Sequence, residues 1–312
     1  MRSSRVFARL KEARHLAEVE RLLEKIGPLR TAKHFTMAIR AYGRAKQVDK
    51  ALGLLAEMRR PEVIHYNAAI TACGWEQAVS LLEEMRGRGL KPNTITYNAA
   101  IAACEKGRQG RRAVAILEAM RHPNLASYTA TISACARAGW WEKALELFED
   151  VRRDMFPDRA AYDAALGACA RGKRWETALE ILREMRDREI APDATSYVSA
   201  ISACENAGRF EDAESTFLEA TASGVRFAAR EEENTFDLRK TAAPVARTLV
   251  RLALRSNKDD DILLVTKAGV TRAAILDVLR GGENDDENNN VVVSTAADPD
   301  RLVVVRRRRS SS

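Results

Sequence analysis

Five cysteines are the only thiols in this chain of 312 residues, and their spacing decides what chemistry is open to them. Cys73, Cys104, Cys135, Cys169 and Cys204 lie 31, 31, 34 and 35 residues apart. A zinc site draws on closely spaced pairs such as CxxC, and a disulfide framework on an even count. Neither occurs here. Each thiol instead closes a segment of one type: Tyr66-Asn-Ala-Ala-Ile-Thr-Ala-Cys73, then the runs Tyr97 to Cys104, Tyr128 to Cys135, Tyr162 to Cys169 and Tyr197 to Cys204. Phe35-Thr-Met-Ala-Ile-Arg-Ala-Tyr42 keeps the pattern with Tyr in place of Cys. A thiol repeating on an apolar helical face is a small buried hydrophobe, so the pattern speaks of packing. No residue set calls for a metal or a cofactor.

The elements that carry this phrase follow from its periodicity. Behind each cysteine comes a Gly or basic turn and a second segment: Trp75 to Met85, Trp141 to Phe148, Trp175 to Met185 and Phe210 to Ala213. Apolar residues recur there at i, i+3, i+4 and i+7, which predicts helices. Gly89-Leu-Lys-Pro-Asn93, Phe156-Pro-Asp158 and Ala191-Pro-Asp193 punctuate the ends, because proline cannot continue a helix. The unit is helix, turn, helix, Pro turn. Neither helix buries its stripe alone, so the pairs must stack. Six units result, 32–62, 63–93, 94–124, 125–158, 159–193 and 194–228, the second with a shortened turn between Cys73 and Trp75. Residues 1–31 read as a helical cap, with Gly27-Pro28 as a stop. The fold class is an all-α solenoid of stacked helix-turn-helix repeats followed by a small α/β domain.

With 51 basic and 44 acidic side chains the net charge is +7, a balance that favours a polyanionic partner. No apolar run approaches the length of a membrane span. The first eleven residues carry Arg2, Arg5, Arg9 and Lys11 with two serines and no acid, the composition of a transit peptide, though Glu12 follows at once.

A helical repeat of this length is shared with peptide-binding tetratricopeptide arrays. The phrase itself, Tyr-Asn-Ala-Ala-Ile, Ala-Cys, Trp-Glu-x-Ala-Leu, Glu-Met-Arg and Gly-Leu-x-Pro-Asn, resembles the pentatricopeptide repeat of plant and algal organelle RNA-binding proteins. The resemblance implies a right-handed superhelix and a single-stranded RNA partner, one unit contacting one base. It also implies a monomer, a place in organelle RNA processing alongside protein partners, and the chloroplast ahead of the mitochondrion. In that family the reading side chains are the residue after the Tyr and the last residue of the unit, and an aliphatic residue two before the Tyr wedges between bases. Carried over, Asn67 with Asn93 and wedge Ile64, and Asn98 with Asn124 and wedge Ile95, match pyrimidine readers. Thr129 with Asp158 matches a guanine reader, with Ala126 a poor wedge. Three units depart from the pattern: Thr36 with Glu62 and Lys33, Asp163 with Asp193, and Val198 with Ala228. The expected core is pyrimidine, pyrimidine, G. The repeated tyrosines read as inter-repeat packing and Trp75, Trp141 and Trp175 as core, while Asn67 and Asn98 have helix capping as their alternative role.

Beyond a charged linker at 229–234 the phrase ends. Strand and helix signals alternate over 235–306, and a basic tail closes the chain at 307–312. This region resembles a small MutS-related (Smr) domain through Asp237-Leu238, Leu263 to Thr266, Gly269, Ala273 to Leu279 and Pro299 to Val304. The family's Asp-Leu-His here ends in Arg239, its Thr-Gly-x-Gly loop reads Thr266-Lys267-Ala-Gly269, and no histidine follows His122. Loss of the imidazole argues for binding over cleavage, with Arg239 and Lys267 as phosphate-gripping cations. Three functions follow in order: a sequence-biased RNA binder, an RNA endonuclease acting through the Smr-like domain, and a peptide-binding scaffold.

Overall fold

A computed structural model describes residues 9–10, 12–26, 31–227, 229–232, 235–238, 241–256, 262–265, 273, 275–276, 278, 291–295 and 301–306. The chain divides into two compact units, Met1–Ala168 and Cys169–Ser312.

In the first unit, helix α1 (Leu16–Ile26) precedes the hairpins α2/α3 (Ala32–Arg44, Val48–Ala56), α4/α5 (Val63–Ala72, Trp75–Gly87), α6/α7 (Thr94–Lys106, Gly110–Glu118) and α8/α9 (Leu125–Arg137, Trp141–Asp154). Helix α10 (Arg159–Gly172) begins the next hairpin. The first helices α2, α4, α6 and α8 pack on one another in series, each also against its own second helix. This is the helical-repeat solenoid that the periodicity predicts. Helix α1 lays Val19 and Leu22 against Ala41, and Leu10 and Ala13 join the same cluster. The Arg44 guanidinium donates to the carbonyls of Leu10 and Ala13, at 2.5 and 3.3 Å, tying this cover to the first hairpin.

Helix ends explain the regularity. After α2, α6, α8, α10 and α12 the chain passes through a residue with positive φ: Lys46 (58°), Arg108 (54°), Gly139 (83°), Lys173 (55°) and Gly208 (75°). The amide of the next residue then reaches back five positions, as in Gln109 N–H to the Cys104 carbonyl at 2.8 Å and Trp140 N–H to that of Cys135 at 2.9 Å. These are Schellman ends, which satisfy carbonyls the helix leaves open. The second hairpin, with its shortened turn, lacks one: α4 stops at Ala72, and Cys73 and Gly74 are both extended at ψ 173°.

The core is built from small residues. Ala38, Ala69, Ala100, Ala134, Ala165 and Ala200 are all within 2 % of full burial. Tyr66 and Tyr162 are fully buried, the Tyr162 ring meeting Phe148 edge-on at 5.4 Å. Tyr66, Tyr162 and Tyr197 are packing residues, Tyr97 and Tyr128 are half-buried, and the Tyr66 hydroxyl donates to Glu84 Oε1 at 2.8 Å. The tryptophans differ from the core role expected of them. Trp75 is half-buried beneath Arg112, whose guanidinium carbon sits 4.4 Å from the ring centre. A long aromatic at the first turn of a helix reaches past the alanine layer to the edge of the array, where only an amphipathic cation can cover it.

In the second unit, α11 (Trp175–Asp187) follows the end of α10, and α12/α13 (Ala194–Asn206, Phe210–Ala222) form the last repeated hairpin. Strands β1 (Ala229–Glu232), β2 (Thr235–Asp237), β3 (Ile262–Val265), β4 (Val291–Thr295) and β5 (Arg301–Arg306) lie in the order β1-β2-β3-β5-β4, with β2 and β3 parallel and the other pairs antiparallel. The stretch read as a charged linker therefore contributes a strand, since its alternating backbone pairs with β2 whatever its side-chain charge. Helix α14 (Ala243–Ser256) packs on both helices of the last hairpin. Val245, Ala246, Leu249, Val250 and Ala253 join Ile201, Cys204, Ala213 and Phe217 in one cluster.

Candidate nucleic-acid interface

The last residue of each repeat has a structural task that its type explains. Asn93, Asn124 and Asp193 are N-caps of α6, α8 and α12 with extended backbone, and each forms a capping box with a hydroxyl residue three positions on, Thr96, Ser127 and Ser196. Asp158 caps α10 by accepting from Ala161 N–H at 2.9 Å. Glu62 caps α4 in a box with His65. Capping falls on this row, and the alternative role weighed for Asn67 and Asn98 goes to Asn93 and Asn124. Asn67 and Asn98 stand inside their helices.

The geometry brings the paired residues together. Asn67 Oδ1 accepts from Thr96 Oγ1 at 2.6 Å, and Thr96 Oγ1 lies 3.0 Å from Asn93 Oδ1. Asn67 Nδ2 is 3.5 Å from the same Asn93 oxygen. One repeat later Asn98 Oδ1 accepts from Ser127 Oγ at 2.7 Å, with Asn124 Oδ1 2.8 Å from that hydroxyl. Residues 26 positions apart in sequence, Asn67 with Asn93 and Asn98 with Asn124, thus meet through a hydroxyl belonging to the following helix. Thr96 and Ser127 were missed by sequence reasoning; their hydroxyl type three places after an Asn was the available signal.

The next pairing lacks that bridge. The third position of α10 is Ala161, and Thr129 Oγ1 is buried with no hydrogen-bond partner. Thr129, Asp158 and Asp163 line a cavity of about 550 Å³ together with Glu105, Ala126 and Ser133. Ser133 Oγ donates to Glu105 Oε1 at 2.7 Å, which fixes that carboxylate at the cavity wall. The cavity is acidic and edged by small residues, so it offers acceptors and an unsatisfied hydroxyl to a planar group bearing N–H donors.

A third row runs alongside. The positions two before the aromatic, Lys33, Ile64, Ile95, Ala126, Ala160 and Thr195, are all exposed. Ile64 and Ile95 are 48 % and 66 % exposed, large aliphatics left in water beside the two asparagine pairs. Two of the units that departed from the pattern also depart in structure. Thr36 turns its hydroxyl back to the Ala32 carbonyl at 2.9 Å, and Val198 packs on the apolar cluster of the last hairpin.

Of the Smr-like residues, Asp237 ends β2 opposite Val265, and Leu238 is fully buried in the cluster with Ile201 and Val245. Arg239, Thr266, Lys267 and Gly269 lie outside the described residues. Among the described residues no group of His, Cys, Asp and Glu is placed to hold a metal, and no helix is long and apolar enough to cross a membrane.

Stacked hairpins with capped first helices and a recurrent polar row define a helical-repeat protein. A Pentatricopeptide repeat domain matches residues 80–136 and 146–207, and a PPR repeat matches 34–61, 126–156 and 195–225. Together these take in more than half of the chain, which belongs to the pentatricopeptide repeat family. No curated protein matches by sequence. Among solved structures, the pentatricopeptide repeat protein PPR10 from maize is similar at 25 % identity and a TM-score of 0.60, covering 91 % of this chain and 42 % of that one. The chain thus spans less than half of the maize protein's length. PPR10 in complex with an 18-nt psaJ RNA element aligns at 19 % identity over 88 % of this chain and 47 % of that one, with a TM-score of 0.47. The PPR domain of Arabidopsis thaliana protein-only RNase P 1 in complex with tRNA aligns at 17 % identity over 54 % of this chain and 95 % of that one, with a TM-score of 0.45.

Proposed function

We propose that this chain binds single-stranded RNA with a short sequence bias, through six repeats spanning 32–228 behind an N-terminal cap at 1–31. The observation that carries the reading is the repeated geometry of Asn67–Thr96–Asn93 and Asn98–Ser127–Asn124. Two amides of successive repeats stand in one row, each beside an exposed isoleucine that would slide between neighbouring bases. Family membership supports RNA as the ligand, and the net charge of +7 supports a polyanion.

In this reading Asn67 with Asn93 and Asn98 with Asn124 take pyrimidines. Thr129 with Asp158 takes guanine, whose N1–H and N2 amino group suit the acceptors of the acidic cavity. Asp163 with Asp193 is a poor reader because a second carboxylate repels the phosphate backbone. Each engaged base contributes roughly 1–3 kcal/mol before ordering costs, so three good readers give modest affinity and a partner protein adds to it.

Residues 235–306 are read as a degenerate Smr-like α/β domain, joined at 229–234 and followed by a basic tail at 307–312, that grips RNA through Arg239 and Lys267 without cutting it. The setting is organelle transcript stabilisation, processing or translation, with the chloroplast favoured. The test is selection from a randomised RNA pool at near-physiological salt, with sequencing of bound and cut molecules. Enrichment of two pyrimidines followed by G without new ends supports the reading. New ends at a fixed offset would make the chain a nuclease, and the absence of any enrichment would remove the base-reading claim.

A further inference from the structure

Resting on the base-reading role proposed above, we infer that the third residue of a repeat, where it is a hydroxyl residue following a repeat that reads with Asn, is a specificity-determining position: its hydroxyl orients the reading amide of the preceding repeat so that the amide NH2 faces the RNA. Thr96 does this for Asn67 and Ser127 for Asn98.

In the capping box after the second repeat, Thr96 Oγ1 accepts from Asn93 N–H at 3.2 Å and Thr96 N–H donates to Asn93 Oδ1 at 3.0 Å. The hydroxyl has one proton left to give. Its shortest neighbour is Asn67 Oδ1 at 2.6 Å, a separation that suits O–H···O and is short for N–H···O. The orientation with oxygen toward Thr96 also leaves Asn67 Nδ2 beside Asn93 Oδ1 at 3.5 Å. Were the amide turned over, its oxygen would face that oxygen and two acceptors would confront each other. The next junction repeats the hydroxyl's part of the arrangement, with Ser127 Oγ accepting from Asn124 N–H at 3.3 Å and lying 2.7 Å from Asn98 Oδ1, against 2.8 Å from Asn124 Oδ1.

With Oδ1 turned to the hydroxyl, each amide has its N–H side left to offer an incoming base. An unpinned Asn turns over freely and presents either a donor or an acceptor. A pinned one is a donor alone. Uracil and cytosine both carry the O2 acceptor at one edge of the ring, where guanine carries an amino donor and adenine a C–H. A fixed donor at that edge therefore favours both pyrimidines over both purines. The following junction behaves as the contrast case: Ala161 replaces the hydroxyl, and Thr129 Oγ1 is left without a partner, free to donate or accept. Thr96 and Ser127 are positioning residues, acting on RNA through the amide they hold.

The test uses the full chain and RNA pools varied at one base at a time. Thr96→Val removes the hydroxyl at nearly constant shape, and the loss of one orienting hydrogen bond predicts a fall of about three- to tenfold in the pyrimidine-over-purine preference at the base facing Asn67. Preference at the base facing Asn98 stays unchanged, and Thr96→Ser restores the lost selectivity. Ser127→Ala gives the mirror-image result, and carries the test alone if Thr96→Val does not fold by circular dichroism. Unchanged base preference in both variants, or equal weakening on every RNA, overturns the inference. Failure of the underlying reading looks different: Asn67→Ala and Asn98→Ala would then also leave base preference unmoved.

Discussion

The Glu205 carboxylate, with its side chain 1 % exposed at the end of α12, lies 3.1 Å from Arg247 Nε on α14. Arg251 reaches its other oxygen at 2.5 Å and the Thr248 hydroxyl donates there at 2.7 Å. A charge removed from water needs such partners, and removing it strands two guanidinium groups. Arg247 and Arg251 keep 23 % and 20 % of their side-chain exposure, so water softens the loss. Glu205→Ala is expected to cost roughly 2–3 kcal/mol in urea unfolding followed on the last hairpin. A cost below the level of a surface substitution would show that α14 is held by its apolar face alone.

Glycines at helix crossings separate by what a methyl group would meet. A Cβ at Gly107 would run into the Trp75 ring, and one at Gly43 into the Ala72 side chain. Gly107→Ala and Gly43→Ala should each destabilise by about 1–3 kcal/mol. Gly53, inside α3 with open space around it, should behave oppositely, Gly53→Ala stabilising by roughly 0.5–1 kcal/mol. Melting temperatures of the three variants decide the point.

Burial pushes the thiols up, Cys73, Cys104 and Cys135 to about 11 and Cys169 and Cys204 to about 12. Unfolded thiols lose their protons near their ordinary value of 9.0, so between that pH and about 12 the unfolded chain sheds protons that the folded chain retains. The stabilisation is complete below pH 9 and is lost as the pH rises through the folded values. Urea midpoints should fall across this window more steeply than in a variant with all five cysteines replaced by alanine. A thiol reagent at pH 8 should label Cys73, the one partly exposed thiol, ahead of the other four.

Ile64 and Ile95 give a prediction in which stability and binding part company. Both are exposed, so Ile64→Ala and Ile95→Ala should leave unfolding within about 0.5 kcal/mol of the parent. Affinity for pyrimidine-rich RNA should fall several-fold. Equal affinity in filter binding would remove the wedge role.

Much of this molecule is legible in its residues because each repeat is a local object. Helix periods, proline stops and the six-fold phase of the Tyr phrase arise from contacts within one unit or with its neighbour, and sequence spacing reports such contacts directly. The asparagine rows were legible in the same way, as positions. What the residues did not disclose was the bond between rows. Asn67 and Thr96 stand 29 residues apart, and only the stacking distance between α4 and α6 brings a hydroxyl to within 2.6 Å of an amide oxygen. The half-buried tryptophans and the seating of α14 on the last hairpin belong to the same class. Type and phase fix which residues face the core, whereas the separation of neighbouring helices, set by the small side chains between them, decides which polar atoms meet and which, like the hydroxyl of Thr129, are left open.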